Sequence, residues 1–473
     1  MFNHRYLNWH LLALALQALA WFFYLDHTRN LAFGLDTRDY LGYGFNSLAL
    51  MFSNTRTFAY PLFLKMVSWL FGGYRLLPLI QYVIFFLATI LFWLAMLSFG
   101  IARMPALIIA SSLLYTDLLR RYCWQIHPDT LAGSLVLMSL AGLLLILSQP
   151  QKKKVWVFTG CAVFLAYQVR PVYLFLLVLL PLLSLVLFKT RPKPVQANAI
   201  LPLAGKIAAL AFIPFLLFGL FRYRLTGQFG LVSLQGANLL GITAYSLDQD
   251  LVNRLPKKDR ELAGALLIRE ADRQKAKQTG KAAYGDTWFW RNIAPEKWHE
   301  RAILYDVLVH DRAYPALGFE KSEDKINRSI LSANSRMLSL AWGILKERPG
   351  DYIEWVGGDL VVAIWQMLRA DPLIKWLSYA LGLILLLKLL LGLMGVNLTL
   401  WKWPGAFTDF KAGLICLTLV GLSLFAVGTM IICMVQIPKW RFLSPLTLFH
   451  PGIIILAMAT ALLRPGSGRK SHT

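Results

Sequence analysis

Charge is scarce in this 473-residue chain, and negative charge is scarcer still. Only 15% of the residues are charged, and 25 Asp and Glu stand against 48 Lys and Arg. With 57% of the residues hydrophobic, the composition excludes an ordinary soluble protein. The four cysteines, Cys123, Cys161, Cys416 and Cys433, avoid the long polar stretch, so no disulfide framework is implied. No C-x-x-C or similar metal-ligand spacing occurs, and no internal repeat is visible, direct or inverted. The basic residues are scattered between apolar runs and form no patch with interleaved aromatics. The net charge of +23 therefore does not point to nucleic acid. No small-residue cleavage site follows the first apolar run, which reads as a retained span rather than a signal peptide.

Apolar runs of membrane-span length fill most of the chain. A bilayer core takes about 20 apolar residues per helix. Ten candidate spans result: 9–25, 76–99, 105–119, 129–148, 155–170, 172–188, 206–222, 374–397, 412–435 and 442–463. With the N-terminus in the cytoplasm, Arg5, Arg103, Lys152 to Lys154, Lys189, Lys206 and Lys411 fall on the cytoplasmic side, as the positive-inside rule requires. Both termini are then cytoplasmic. The acids give an independent check, because on this topology Asp409 alone of the 25 is cytoplasmic. Chemistry that needs a carboxylate belongs to the outer face.

The expected architecture is an all-α polytopic membrane protein in three blocks. Residues 1–221 form a first membrane block, 222–373 a mostly helical outer segment, and 374–473 a second membrane block. In the outer segment, 259–279 and 324–348 have helical periodicity, with Gly280 as a stop for the first. A stack of amphipathic helices capping the bundle is expected there, rather than a separate soluble domain. Residues 352–369 carry Glu354, Asp359, Gln366 and Arg369, and read as a helix at the outer interface with Asp351 as its cap.

The first outer loop, 26–75, contains GLDTRDYLGYGFNSLALMFSNTRTFAYPLFL at 34–64. Leu41, Phe45, Leu48 and Phe52 make one apolar stripe of an interfacial helix, and Tyr60-Pro61 opens a second. Asp39 is placed to cap a helix starting at Tyr40. Asp36 lies where span, loop and helix converge, and a carboxylate there can serve as a general base. Arg56, Arg170, Lys439 and Arg441 map to short outer connections. Snorkelling from span ends accounts for such cations, but the positive-inside bias should deplete them there, and cations around an acidic loop suit a phosphate-bearing substrate. His127 and Asp129 in RRYCWQIHPDT are either a turn with a helix cap or, with Asp36, a mixed nitrogen and oxygen set compatible with a divalent ion. No metal site and no cofactor is predicted.

In order and placement these motifs resemble the GT-C superfamily of integral-membrane glycosyltransferases, especially bacterial members that use polyprenyl-phosphate sugars, protein mannosyltransferases and the lipid A aminoarabinose transferase. The resemblance is carried by Asp36 in GLDTRDYL, TRTFAYPLFL, QVRPVYLFLL, ERPGDYIEW and QIPKWRFLSPL. It covers 1–222 and 340–463. The Asp36-Thr37 pair departs from the Asp-Glu of the lipid A enzyme. The resemblance implies a polyprenyl-phosphate-linked sugar donor, a glycan, glycolipid or protein acceptor, and a site facing the periplasm of a bacterial inner membrane. It implies Asp36 as base, with Asp39 as a second carboxylate if configuration is retained. Arg56, Arg170, Lys439 and Arg441 would contact the donor phosphate, and Tyr40, Tyr60, His127 and Asp129 the sugar or acceptor. Two other classes fit the composition: a transporter or flippase of a lipid-linked sugar, and a non-catalytic member of an envelope-assembly complex.

Overall fold

The computed structural model describes residues 4–34, 36–189, 199–283, 304–317, 326–393, 406–438 and 440–463. Among them the chain is almost wholly helical, and an isolated bridge joins Ala32 and Gln125. The first membrane block comprises α1 (His4–Thr28), α2 (Thr37–Leu41), α3 (Leu48–Ser53), α4 (Ala59–Phe71), α5 (Leu77–Phe99), α6 (Arg103–Leu114), α7 (Asp129–Ser148), α8 (Lys153–Val169), α9 (Leu176–Lys189) and α10 (Ile200–Thr226). The outer segment holds α11 (Gln235–Thr243), α12 (Gln249–Arg254), α13 (Lys257–Leu266), α14 (Glu270–Ala283), α15 (Ile326–Glu347) and α16 (Pro349–Ala370). The last block is α17 (Pro372–Leu393), α18 (Ala406–Val435) and α19 (His450–Leu462).

Eight helices among the described residues are long and apolar enough to cross a membrane, against the ten expected. The two that fall short are the expected spans 105–119 and 155–170. The first gives α6, only 12 residues, because the helix breaks near Tyr115 and resumes as a π-helical turn at Leu118–Tyr122. The second gives α8, 17 residues, bounded by Lys152 and by Arg170-Pro171. At about 1.5 Å per residue they reach ~18 and ~26 Å, short of a ~30 Å core. α6 is nevertheless interior: Ser112 and Ile109 lie against Gly452 of α19, and Pro105 against Gly413 of α18. By contrast Leu216, Leu217 and Leu220 of α10 and Leu386, Leu389 and Leu390 of α17 are exposed, as lipid-facing side chains would be. Lys388 of α17 donates to the carbonyl of Ala461 at 2.7 Å.

Local chemistry corrects several boundaries. The stripe from Leu41 to Phe52 is not one helix. Gly42 caps α2, and Ser47 starts α3 by accepting from the Leu50 N–H at 3.2 Å. α4 ends at Gly72, whose φ of 68° is the left-handed conformation glycine takes without strain. The helix expected over 259–279 is two, α13 and α14, and α14 runs through Gly280. α16 begins two residues before Asp351, with Pro349 in its first turn and Arg348 at the cap position. It is not among the eight helices long and apolar enough to cross a membrane.

The outer helices do more than cap the bundle. Leu240, Leu251, Leu262, Leu266, Leu308, Met337 and Leu340 build a second hydrophobic core, separate from that of the bundle. Gly236 lets α11 press on α15, since a Cβ there would sit 2.1 Å from the Asn334 carbonyl oxygen. α11 also touches α16 and α18, so this second core rests on the membrane helices.

Candidate functional site

The site is assembled at one end of an antiparallel pair. α7 and α8 pack along each other and are joined by the short link 149–152. Close approach is allowed by Gly142, where a Cβ would meet Thr159 Oγ1 at 2.2 Å. A short link at one end leaves the start of α7 and the end of α8 side by side at the other. Asp129, first residue of α7, is thereby brought to Arg170, which follows α8, and the two side chains form a buried ion pair. On its other oxygen Asp129 meets Nδ1 of His127. Arg170 also lies over the ring of Phe442, 4.9 Å from its centroid.

The loop after α1 is laid on the same end by backbone pairing. Ala32 N–H donates to the Trp124 carbonyl at 2.8 Å, and Ile126 N–H to the Ala32 carbonyl at 3.2 Å. Thr37 Oγ1 donates to the Ile126 carbonyl at 3.3 Å and accepts from the Gly34 N–H at 2.8 Å. Asp36 then stands at the cap position of α2. Its side chain makes no capping bond there, so the carboxylate is available for other partners. Asp36 Oδ2 lies 3.6 Å from His127 Nε2, just beyond hydrogen-bond reach. Asp36 Oδ1 accepts from Arg56 Nη2 at 2.8 Å.

Arg56 is the hub of the outer half. It also donates to Asp39 Oδ2 from Nη2 at 2.9 Å and from Nε at 3.2 Å. Its guanidinium sits over the Tyr40 ring, 5.3 Å from the centroid. Burial works to lower the Arg56 pKa, but Tyr40, Asp36 and Asp39 outweigh it and hold the guanidinium above its ordinary value. Asp39 is therefore not the expected helix cap: it lies inside the first turn of α2 and turns to Arg56. Tyr60 at the start of α4 is fully buried and meets Tyr40 edge-on, with ring centroids 5.1 Å apart.

The result is one chain of polar contacts, Arg170–Asp129–His127–Asp36–Arg56–Asp39, running from the bundle interior to the surface. Side-chain exposure is 7% at Arg170 and then rises from 0% at Asp129 and 5% at His127 to 17% at Asp36, 23% at Arg56 and 49% at Asp39. It contains three carboxylates and two guanidiniums, with an imidazole between two of the carboxylates. A substrate can reach Asp36, Asp39 and Arg56. It cannot reach Asp129 or Tyr60 as they stand, and Tyr40 and Arg170 are occupied in holding Arg56 and Asp129. Lys439 lies outside the described residues, as does the side chain of Arg441 on the turn Trp440–Leu443. Asp36, His127 and Asp129 do come together, but no group of three or more His, Cys, Asp or Glu able to hold a metal ion is found among the described residues. Both oxygens of Asp129 are already engaged, one by Arg170 and one by His127.

Two further features were missed in the sequence reading. Arg222, fully buried, donates to the carbonyl of Phe52 at 2.8 Å, the carbonyl of Gln228 at 3.1 Å and Ser233 Oγ at 2.6 Å. Ser233 Oγ in turn donates to the Ser53 carbonyl at 3.1 Å, and Asn54 Oδ1 accepts the Arg56 N–H at 3.0 Å. Arg222 thus anchors the stretch that positions Arg56. Its signal was an arginine at the end of a span expected to face outward, where positive charge should be depleted. The second feature is an ion cluster on the same loop as His127. Asp117 pairs with Arg120 and with Arg121 at 2.8 Å, and Arg120 reaches Asp371 at 3.4 Å.

The chain matches no known family, no curated protein and no solved structure.

Proposed function

We propose that this protein is a glycosyltransferase of the GT-C type. It moves a sugar from a polyprenyl-phosphate donor to a hydroxyl of a cell-envelope glycan, lipid or protein at the outer face of a bacterial inner membrane. The observation that carries the reading is Asp36: a partly exposed carboxylate, fixed by Arg56 on one oxygen and facing a buried His127–Asp129–Arg170 chain with the other. The order of sequence motifs that resembles the superfamily supports the same reading.

In this reading Asp36 accepts the proton of an acceptor hydroxyl as its oxygen bonds to the anomeric carbon. The bond from that carbon to the phosphate oxygen breaks on the opposite face, and the electron pair leaves with the polyprenyl phosphate. One base suffices, so configuration inverts. Arg56 has a double role. Nη2 and Nε hold the two aspartates, while Nη1 carries none of those bonds and can meet a phosphate oxygen. Lys439 and Arg441 are the further candidates for the leaving phosphate. His127, held by Asp129, stands 3.6 Å from Asp36 and can share the proton it takes once that gap closes. Arg170 balances Asp129 rather than binding donor.

The test is transfer by the purified full chain in liposomes, with radiolabelled polyprenyl-phosphate sugars as donors and an envelope extract as acceptor. Asp36→Asn is expected to lower the rate by about 10²–10⁴-fold, the usual worth of a general base. Full transfer by the variant would overturn the assignment. Asp39→Asn tests the inverting course: it leaves substantial transfer if one base suffices and abolishes it if Asp39 is a second essential carboxylate.

A further inference from the structure

Away from the Asp36 site, the second core and α16 enclose a cleft of about 380 Å³, inside the roughly 300–1,000 Å³ range of ligand clefts. Its walls are the turn after α11, the end of α15 and one side chain of α14, and its floor is the first turn and a half of α16. Tyr245, Tyr352 and Trp355 supply aromatic surface, with the Tyr245 and Trp355 rings 6.3 Å apart. The ionised lining comprises three carboxylates, from Asp248, Asp351 and Glu354, and two guanidiniums, from Arg273 and Arg348.

That lining discriminates between ligand classes. Arg348 is committed to Asp248 and to the carbonyl of Ser246 at 3.1 Å and also lies 3.9 Å from Asp351, and Arg273 lies over the Tyr245 ring at 5.7 Å. With one carboxylate in excess and both arginines engaged, a phosphate or other anion gains little here. A polyhydroxyl ring suits the cleft better. Its C–H face can lie on an aromatic ring, and its hydroxyls can donate to Glu354 and Asp351, since an ionised carboxylate only accepts. We infer that this cleft binds a saccharide bearing no negative charge, as a second binding site distinct from the Asp36 network.

The cleft is mechanically joined to the candidate site. Tyr352 donates to the Met434 carbonyl at 2.7 Å, tying the floor to the end of α18. α16 also packs on the turn Trp440–Leu443, whose Phe442 lies under Arg170. That the saccharide is the acceptor rests on the glycosyltransferase reading; that a saccharide binds does not.

The experiment is retention of the fluorescently labelled full chain, in lipid nanodiscs, on an array of neutral, amino-bearing and acidic glycans. Wild type and Asp36→Asn are expected to retain the same neutral or amino-bearing glycans. Glu354→Gln and Tyr245→Ala are each expected to weaken retention at least tenfold. Glu354 is exposed, so its substitution leaves the fold intact even if loss of the half-buried Tyr245 does not. No retention of any glycan, retention of acidic glycans alone, or retention untouched by Glu354→Gln would overturn the proposal. Glycan retention in a chain that transfers no sugar would refute the enzymatic reading and leave the cleft standing.

Discussion

Two charge clusters hang from the same short loop, residues 115–130, and they differ in what they leave open. In one, Asp117 and Asp371 meet Arg120 and Arg121, so two carboxylates face two guanidiniums and the charges close on themselves. Both carboxylates are buried, and the cluster pins the loop to the junction of α16 and α17. In the other, Asp36, Asp39 and Asp129 outnumber Arg56 and Arg170, an imidazole sits among them, and exposure increases toward Asp36 and Asp39. Balanced buried pairs contribute geometry. An accessible carboxylate held rigidly beside an imidazole offers chemistry. Proximity of acids and bases is therefore not enough to nominate a site; what nominates the Asp36 cluster is its surplus of one charge at an accessible position.

The largest expected effect separates the clusters by activity. Asp36→Asn removes transfer by about 10²–10⁴-fold while the thermal midpoint of the purified chain stays within about 2 °C of wild type. Asp117→Asn, measured beside it, keeps most of the transfer rate. Equal losses from the two would erase the contrast. Next comes stability. Asp129→Ala leaves Arg170 buried without its carboxylate, and breaking such a pair costs about 3–5 kcal/mol. Asp117→Ala costs less, about 1–2 kcal/mol, because Arg120 keeps Asp371 and both arginines are partly exposed. Denaturation of the detergent-solubilised variants checks the order.

The smallest effect concerns Asp371. Burial raises its pKa, Asp117 reinforces the rise, and Arg120 opposes it. A carboxyl whose folded pKa lies above its unfolded one stabilises the fold at acid pH and loses that contribution as pH rises through the folded value. Asp371→Asn is therefore expected to match or exceed wild type at neutral pH by about 2 °C and to lose that advantage at acid pH. A midpoint difference that does not change with pH would contradict the assignment.

The class of fold was legible from composition and periodicity: long apolar runs and few charges leave no alternative to helices in lipid. What was not legible came from tertiary contact. Asp36, Asp39 and Arg56 stood out as a polar loop, but one guanidinium gripping both aspartates depends on Arg222 holding Phe52 from far along the chain. His127 and Asp129 were visible as H-P-D, whereas the partner of Asp129 sits at the far end of a helical hairpin, where spacing carries no signal. Arg170, expected as a phosphate contact, is found paired with Asp129. The Leu41 to Phe52 stripe misled because period alone does not register that Gly42 stops one helix and Ser47 starts another. The separate core of the outer segment was hidden for a related reason: the apolar face of α15 was visible, but its partners are short helices scattered between Gln235 and Ala313, and their meeting leaves no pattern in the sequence.

In the proposed reaction the Asp36–Arg56 site receives a lipid phosphate. This is tested most directly by mass spectrometry of the lipids that copurify with the full-length protein from a bacterial membrane, wild type beside Arg56→Gln. A bound polyprenyl phosphate is expected, with or without its sugar, depleted at least tenfold in Arg56→Gln. Absence of any polyprenyl phosphate from the wild-type protein, or equal amounts in both, would contradict the proposal.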